Sequence, residues 1–339
     1  MKIIHIIPTL KTGGAESFLL ALSTHFEKRN IKQVIFTLLN SSDDDLIDQF
    51  HNNIKISSDK KKLLALIKED RNVPIMCWMY SSIFFIEKQK IKYKIRNPIL
   101  WNIRHSSFTL FQIKQNLGVM IFGIFSQMVN RKIIYCAFAA KKFHEKLFFS
   151  KKSSLVIQNG LAKLISFNKI SKDKSYLLYV GRYDFLKGPD RLVSICEEYF
   201  KTKDSLDLII AGSGWDENKI PRIIRNRIKL VGNVTDLGEL YRNASCFLFT
   251  SRSEGYPNGV VEACSFGIPV IAFSAGDSDI ILENYDHAKI VKNETEFVSQ
   301  LKNHREVTNE EKQKQGIIIR KRFNFDSKVD EYINYINLK

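Results

Sequence analysis

Two glutamates, Glu254 and Glu262, stand eight positions apart in the stretch SRSEGYPNGVVEACSFGIPVIAF, residues 251–273. Pro257 and Asn258 between them mark the start of a helix, which puts Glu254 just outside its N-terminus and Glu262 a turn or more inside. A carboxylate in such a place complements the helix dipole, and it can also accept two hydrogen bonds from the diol of a ribose or another sugar. Two carboxylates around one loop favour the second use. Upstream, Gly181 and Arg182 follow the apolar run YLLYV, and Lys187-Gly188-Pro189-Asp190 come next, with the proline at the first helical position it prefers. Cations gathered with free backbone N–H groups at a strand-to-helix junction suit a phosphate group. Glycines end the neighbouring runs too: Gly212 and Gly214 in AGSGWDE, and Gly232 in VGNVTD, each allowing close approach of a ligand or another backbone. In the first half, Gly13 and Gly14 of TLKTGGAESF form a shortened phosphate-type loop without the full G-x-G-x-x-G spacing. WNIRHSS ends another run with Arg104 and His105, a fixed cation and a titratable ring. The triplet Asp277-Ser278-Asp279 could suggest a metal-held diphosphate, but its place before a helical stretch reads as a helix cap, so no metal is expected.

All of these residues follow short β-branched runs, and those runs alternate with helical patterns from end to end. The alternation predicts parallel sheets covered by helices, an α/β chain. Strands are expected near residues 2–8, 32–38, 73–79, 98–104, 132–136 and 153–157. A second series, YLLYVGR, LDLIIAG, IKLVG, CFLFTS and IPVIAF, is separated by helical stretches such as 189–200 and 258–266. Between the two series SFNKISKDKS is polar and aperiodic, which divides the chain into a domain at 1–165, a linker at 166–175 and a domain at 176–325. Two doubly wound lobes follow, and in such sheets ligands bind beyond the carboxyl ends of the strands, where the residues above lie.

A chain of 339 residues is long for one core and comfortable for two. Its 44% hydrophobic and 26% charged content excludes disordered and fibrous classes. The formal charge of +16 is unevenly spread: residues 1–165 hold 26 lysines and arginines against 11 acids, residues 166–339 hold 26 against 25. A one-signed first lobe concentrates anionic partners. Its densest segment, EKQKIKYKIRN, sets Lys88, Lys90, Lys92, Lys94 and Arg96 among Ile91, Tyr93 and Ile95, a mixture suited to an anionic membrane surface, where each cation adds about 1 kcal/mol. Leu117–Phe125, the longest apolar run, is half of what spans a bilayer, so membrane contact is expected to be peripheral. The N-terminal apolar run, cut by Pro8, reads as a first strand rather than a signal peptide, and five scattered cysteines read as reduced core residues of a cytosolic protein. The charge also invites a nucleic-acid-binding reading. That reading, the alternative from another class, lacks any helix-turn-helix, zinc-finger or RNA-binding signature and leaves the glutamates unexplained.

VGR followed by KG, then AGSG and VGNV, and above all the E-x7-E spacing of SEGYPNGVVEACSFGIPVIA, resemble the family 4 glycosyltransferases of GT-B fold. Those enzymes build bacterial surface polysaccharides, among them lipopolysaccharide O-antigen and capsule. GGAE, WNIRHS, IQNG and the closing FNFDSKVDEYINYI fit the same family along nearly the whole chain. The resemblance implies two Rossmann-like lobes facing across a cleft, with a C-terminal helix at about 326–339 returning to the first, acceptor-side lobe. It implies retaining transfer of a sugar from a nucleotide-sugar donor, expected to be UDP-linked, to a lipid-linked glycan, without a metal or cofactor. By position, Arg182 and Lys187 resemble the clamp on the donor diphosphate and Glu262 the ribose ligand. Glu254, with main-chain groups of Gly255, Tyr256, Pro257 and Asn258, resembles the contact to the transferred sugar, and backbone near Val234 the base contact, with Gly212 also among the donor-binding positions. Gly13 and Gly14 would approach the phosphates, and His105 the donor sugar or reacting face; Glu254 and His105 are thus the catalytic candidates. Same-face attack, with the departing phosphate taking the acceptor proton, is the expected route, and Glu254 is the nucleophile candidate if a double displacement operates. The family's usual tryptophan in the closing segment is here Phe325 or a neighbour, which bears on packing of the last helix. The implied location is cytoplasmic, at the inner face of the cell membrane; a nucleotide-sugar epimerase of the same fold is the alternative enzyme.

Overall fold

In the computed structural model, the β-branched runs form parallel strands and the helical patterns between them cover two sheets. The structure describes residues 1–11, 13–40, 44–105, 113–129, 131–161, 175–234 and 236–338. The chain divides into two compact units: Met1–Ala162 with Phe325–Lys339, and Lys163–Asn324. The linker expected at 166–175 falls, but for its last residue, outside the described residues.

The first unit runs β1 (Lys2–Ile7), α1 (Gly14–Lys28), β2 (Lys32–Thr37), α2 (Asp44–Ile47), β3 (Lys55–Ser57), α3 (Lys60–Glu69), β4 (Ile75–Trp78), α4 (Met79–Tyr93), β5 (Ile99–Ile103), α5 (Ile113–Val129), β6 (Lys132–Tyr135), α6 (Phe138–Lys146) and β7 (Ser154–Val156). Its sheet has the order β3-β2-β1-β4-β5-β6-β7, every described pairing parallel. The order reverses between β1 and β4, as in a doubly wound fold. Strands buried on both faces read as near-continuous apolar runs rather than alternating; β4 and β5 are buried at every residue, Asn102 being the one polar residue among them. Burial makes α6 a host for a neutral histidine. His144 is inaccessible to solvent; its Nδ1 donates to Ala140 O at 2.7 Å and its Nε2 accepts from the Tyr80 hydroxyl, and desolvation lowers its pKa to about 4.

The second unit runs β8 (Tyr176–Val180), α7 (Pro189–Tyr199), β9 (Leu208–Ala211), β10 (Ile228–Gly232), α8 (Gly238–Asn243), β11 (Ala244–Phe249), α9 (Asn258–Ser265), β12 (Val270–Phe273), α10 (Ser278–Leu282), β13 (Ala288–Val291), α11 (Glu294–Lys302) and α12 (Asn309–Arg322). Its sheet order is β10-β9-β8-β11-β12-β13, again parallel, with the reversal between β8 and β11. Leu177, Leu192, Ile195, Leu208, Leu248 and Phe297 anchor its core. As its proline suggests, α7 starts with Pro189, and α9 starts at Asn258. Gly267 is fixed by packing as well as by its φ of 72°: a Cβ there would lie 1.8 Å from the Lys312 carbonyl of α12.

The last helix, α13 (Phe325–Asn337), belongs to the first unit. Phe325 meets Phe18 edge-on at 5.7 Å and His25 at 4.9 Å, so phenylalanine does the packing that the closing segment requires. Asp326 and Asp330 accept from Arg29 at 3.1 and 3.0 Å.

Three expectations are corrected. β3 and β13, of three and four residues at sheet edges, escape the sequence reading because so short a run carries no period. Asp277 occupies the N-cap position of α10, but its side chain makes no capping hydrogen bond; Ser278 Oγ instead accepts from Ala275 N at 2.9 Å. In the basic segment the supposed interleaving is broken: Lys88, Lys92, Lys94 and Arg96 are exposed, whereas Lys90 on α4 is half-buried, its pKa lowered by desolvation and by Arg131, and Ile95, past the left-handed C-cap Lys94, is buried. No helix of the described residues is long and apolar enough to cross a membrane.

Candidate functional site

Because β8 and β11 adjoin where the order of the second sheet reverses, the loops that follow them leave the sheet side by side. Lys187 comes from the first loop and Glu254 from the second. Their side chains meet, Lys187 Nζ to Glu254 Oε1 at 2.6 Å, and the Ser251 hydroxyl donates to the same oxygen at 2.7 Å. The backbone beneath Lys187 is held as firmly as its tip. The Thr250 hydroxyl donates to the carbonyl oxygens of Lys187 and Gly188, each at 3.0 Å, and the Tyr179 hydroxyl to Lys187 O at 3.2 Å. Burial, then the nearby Glu254, holds the Tyr179 phenol well above its ordinary pKa, so it remains a donor. Gly188 has φ of 68° and a Cβ there would lie 2.2 Å from Thr250 O, which ties glycine to this junction.

A second link joins the same loops. Arg252 donates twice to Asp190, at 2.6 Å each, and stacks 4.3 Å over Phe185; this hydrogen bonding holds the Asp190 carboxyl below its ordinary range. Gly276, after β12, lies against the glutamate loop, where its Cβ would stand 3.0 Å from Glu254 O.

On the other side of β8 the loops after β9 and β10 join the platform. Gly181 N donates to Ala211 O at 2.9 Å, Gly212 N to Gly232 O at 2.7 Å, and Trp215 Nε1 to Gly181 O at 2.9 Å. At Gly212 φ is 147° and a Cβ would lie 2.2 Å from Gly181 O, so the two chains touch only because this residue has no side chain. Arg182 is exposed on this platform and Val234 half-buried just beyond Gly232. Within α9, Glu262 Oε2 accepts from Tyr241 at 3.0 Å; Tyr241 is fully buried, and desolvation followed by the Glu262 charge raises its pKa. Gly255 is half-buried, Tyr256 and Pro257 are buried, and Asn258 opens the helix.

In the first unit Gly13 is the N-cap of α1 with an ordinary extended backbone, φ −167°, and no side-chain cap. A Cβ on Gly14 would meet nothing within 4 Å, whereas one on Gly13 would lie 2.6 Å from Glu16 Oε2, the buried carboxylate that folds back over this end of α1. Arg104 is engaged in the fold: it stacks 4.0 Å over Phe18 and donates to Asn159 Oδ1 at 2.6 Å. His105 is exposed at the carboxyl end of β5.

The structure therefore brings together Lys187 and Glu254, which the sequence reading had assigned to separate parts of one ligand. Thr250, Ser251, the Arg252–Asp190 pair and Gly276 were missed, although the polar pair ending CFLFTS stands where strand-end chemistry is to be sought. Chemically, this platform offers a partly buried cation with a carboxylate and a hydroxyl on it. That set suits an anionic, hydroxyl-bearing ligand.

Comparison with known proteins points the same way. The family model of glycosyl transferases group 1 matches residues 162–321. An uncharacterized glycosyltransferase of Haemophilus influenzae is 25% identical over 63% of this chain and 60% of its own length, so the chain spans less than two thirds of that relative. A Campylobacter jejuni enzyme, the GalNAc-alpha-(1->4)-GalNAc-alpha-(1->3)-diNAcBac-PP-undecaprenol alpha-1,4-N-acetyl-D-galactosaminyltransferase, is 24% identical over 84% of this chain and 83% of its own. Among solved structures, Anabaena HepE in complex with UDP superposes with a TM-score of 0.80 at 15% identity, covering 98% of this chain and 99% of that one.

Proposed function

We propose that the chain is a group 1 glycosyltransferase of GT-B fold that transfers a sugar, with retention of anomeric configuration, from a UDP-sugar to a lipid-linked glycan; the family model over residues 162–321 and the likeness to HepE support this. The observation that carries the reading is the Lys187–Glu254 pair on the strand-end platform where the second sheet reverses order. Lys187 and Arg182 hold the donor diphosphate and neutralise the charge that grows as the glycosidic bond breaks. Glu262 accepts from the ribose, the Val234 backbone meets the base, and Glu254 with the Gly255–Asn258 main chain meets the transferred sugar. In the first unit Gly13, Gly14 and His105 keep the roles that the resemblance implies. Lys187 and Ser251 both bond one oxygen of Glu254, which makes this carboxylate a positioning group for the cation and supports same-face attack over a double displacement.

The undecaprenyl-diphosphate-linked substrate of the Campylobacter relative supports a polyprenyl-diphosphate-linked acceptor, and the UDP complex of HepE a UDP-linked donor. The excess positive charge of residues 1–165 supports work at the inner face of the cell membrane, with Lys88, Lys92, Lys94 and Arg96 toward anionic lipid. No metal takes part in this reading. A thermal-shift screen of nucleotide sugars tests it: the donor should stabilise the protein by about 2.7 kcal/mol at a hundred times its Kd, and EDTA should leave that shift and the subsequent transfer intact. A flat response to every nucleotide sugar, or transfer lost in EDTA and restored by a divalent ion, would overturn it.

A further inference from the structure

Helix α5 is apolar on the side that faces away from the protein. Its inner side packs through Phe122 and Phe125 on Trp101 and buries Val119 and Ser126. Its outer side carries Leu117, Ile121, Ile124 and Met128, one helical stripe, each between 54% and 79% exposed. No residue from 117 to 129 is charged. A helix on a water-exposed surface is ordinarily polar there, and a contiguous apolar patch with a polar rim marks an interaction surface.

Two aromatic side chains widen the stripe. Phe84 of α4 meets Phe122 edge-on at 6.2 Å and remains largely exposed. Phe148 is held outward by a left-handed backbone, φ 66°, that phenylalanine rarely adopts, and its carbonyl accepts from Gln127 of α5 at 2.9 Å. The rim is cationic: Lys88 lies one turn along α4 from Phe84 with Lys92 beyond it, Lys151 and Lys152 follow Phe148, and all four are exposed. The buried acid nearby, Glu87, is spent on Arg131 at 2.8 Å.

We propose that α5 lies in the interface of an anionic phospholipid bilayer, its outer stripe and the two phenylalanines entering the acyl boundary and the four lysines meeting headgroup phosphates. Charge decides the occupant. A second copy of this chain would set the same lysines against themselves, whereas an anionic bilayer satisfies the apolar stripe and the cations at once. The inference deepens the peripheral-membrane reading above by naming the element that enters the lipid, and vesicle binding tests it without any sugar transfer.

Purified full-length protein is sedimented with vesicles of equal parts phosphatidylglycerol and phosphatidylcholine, without donor or acceptor. Binding should be salt-sensitive, and the double variant Ile121→Ser, Ile124→Ser should partition at least about tenfold more weakly. The double variant Lys88→Gln, Lys92→Gln should flatten the salt dependence, and Met128→Trp should report a blue-shifted fluorescence on vesicles. Both serine substitutions are at exposed positions, and an unchanged thermal midpoint certifies the fold. Vesicle binding that the serine variant retains in full would overturn the proposal, as would a dimer that this variant dissociates with no vesicle binding by the parent. Failure of the parent to transfer sugar to a water-soluble acceptor, with vesicle binding intact, would count against the enzymatic reading alone.

Discussion

Removing the two members of the Lys187–Glu254 pair one at a time should cost unequal amounts. The side chains are 2.6 Å apart, and they are 28% and 10% exposed respectively. At an effective dielectric constant of about 20 the gross attraction is roughly 6 kcal/mol, most of it offset by desolvation, which leaves a net contribution of about 1.5–3 kcal/mol for a hydrogen bond between charged groups. In Glu254→Gln the lysine retains access to water and can turn toward it, so the loss should be about 1 kcal/mol. In Lys187→Met the carboxylate stays behind in a nearly closed site with its nearest cation gone, and the loss should approach 3 kcal/mol. The double variant should be less destabilised than the sum, by about 1–2 kcal/mol of coupling. Urea denaturation of the four proteins at neutral pH measures all three quantities. On the proposed function, each single variant should also lose at least about a hundredfold in kcat/KM, some 2.7 kcal/mol. Equal single costs with an additive double would refute the assignment of Glu254 as the group that positions Lys187. Full transfer activity in Glu254→Gln would refute its place in the site.

At Gly212, alanine would have to adopt φ of 147° with its Cβ 2.2 Å from Gly181 O, so Gly212→Ala should destabilise by about 3 kcal/mol or more and weaken donor binding; an unchanged melting temperature would contradict the close approach of the two loops. Acid should destabilise the first unit through His144. Its folded pKa is about 4 against 6.5 for an unperturbed histidine, so the unfolded chain binds more protons between those values and stability falls as pH drops through that window. His144→Gln should remove about 2 kcal/mol of the stability difference between pH of about 7 and about 5, measured by denaturant titration at both; an undiminished difference would show that another group carries it.

The alternation of β-branched and helical runs was sufficient for the doubly wound plan, because strands buried on both faces must be apolar and crossover helices must carry a period of their own. Only β3 and β13, both at sheet edges, were lost to it. Helix starts were legible where the residue type forces them, as at Pro189 after Gly188. In the basic segment alternate residues look like neighbours in print, but those of α4 spread around a helix, which takes Lys90 toward Arg131, and the chain turns at the left-handed Lys94 before burying Ile95. The run Leu117–Phe125 showed only its length; that one side of it is left uncovered depends on which helices and strands surround α5.

For the site, the sequence by itself determined the chemistry: two cations after one strand, two carboxylates around the start of a helix, and glycines where chains must come close. The tertiary structure decided which of them act together. Lys187 and Glu254 are 67 positions apart, and no local rule joins them. They meet because β8 and β11, separated in the chain by two other strands, are neighbours in the sheet, and the loops beyond them must therefore share one edge. Residue type is a local property that folding leaves unchanged, whereas adjacency of strand ends is set by the order in which the whole sheet closes.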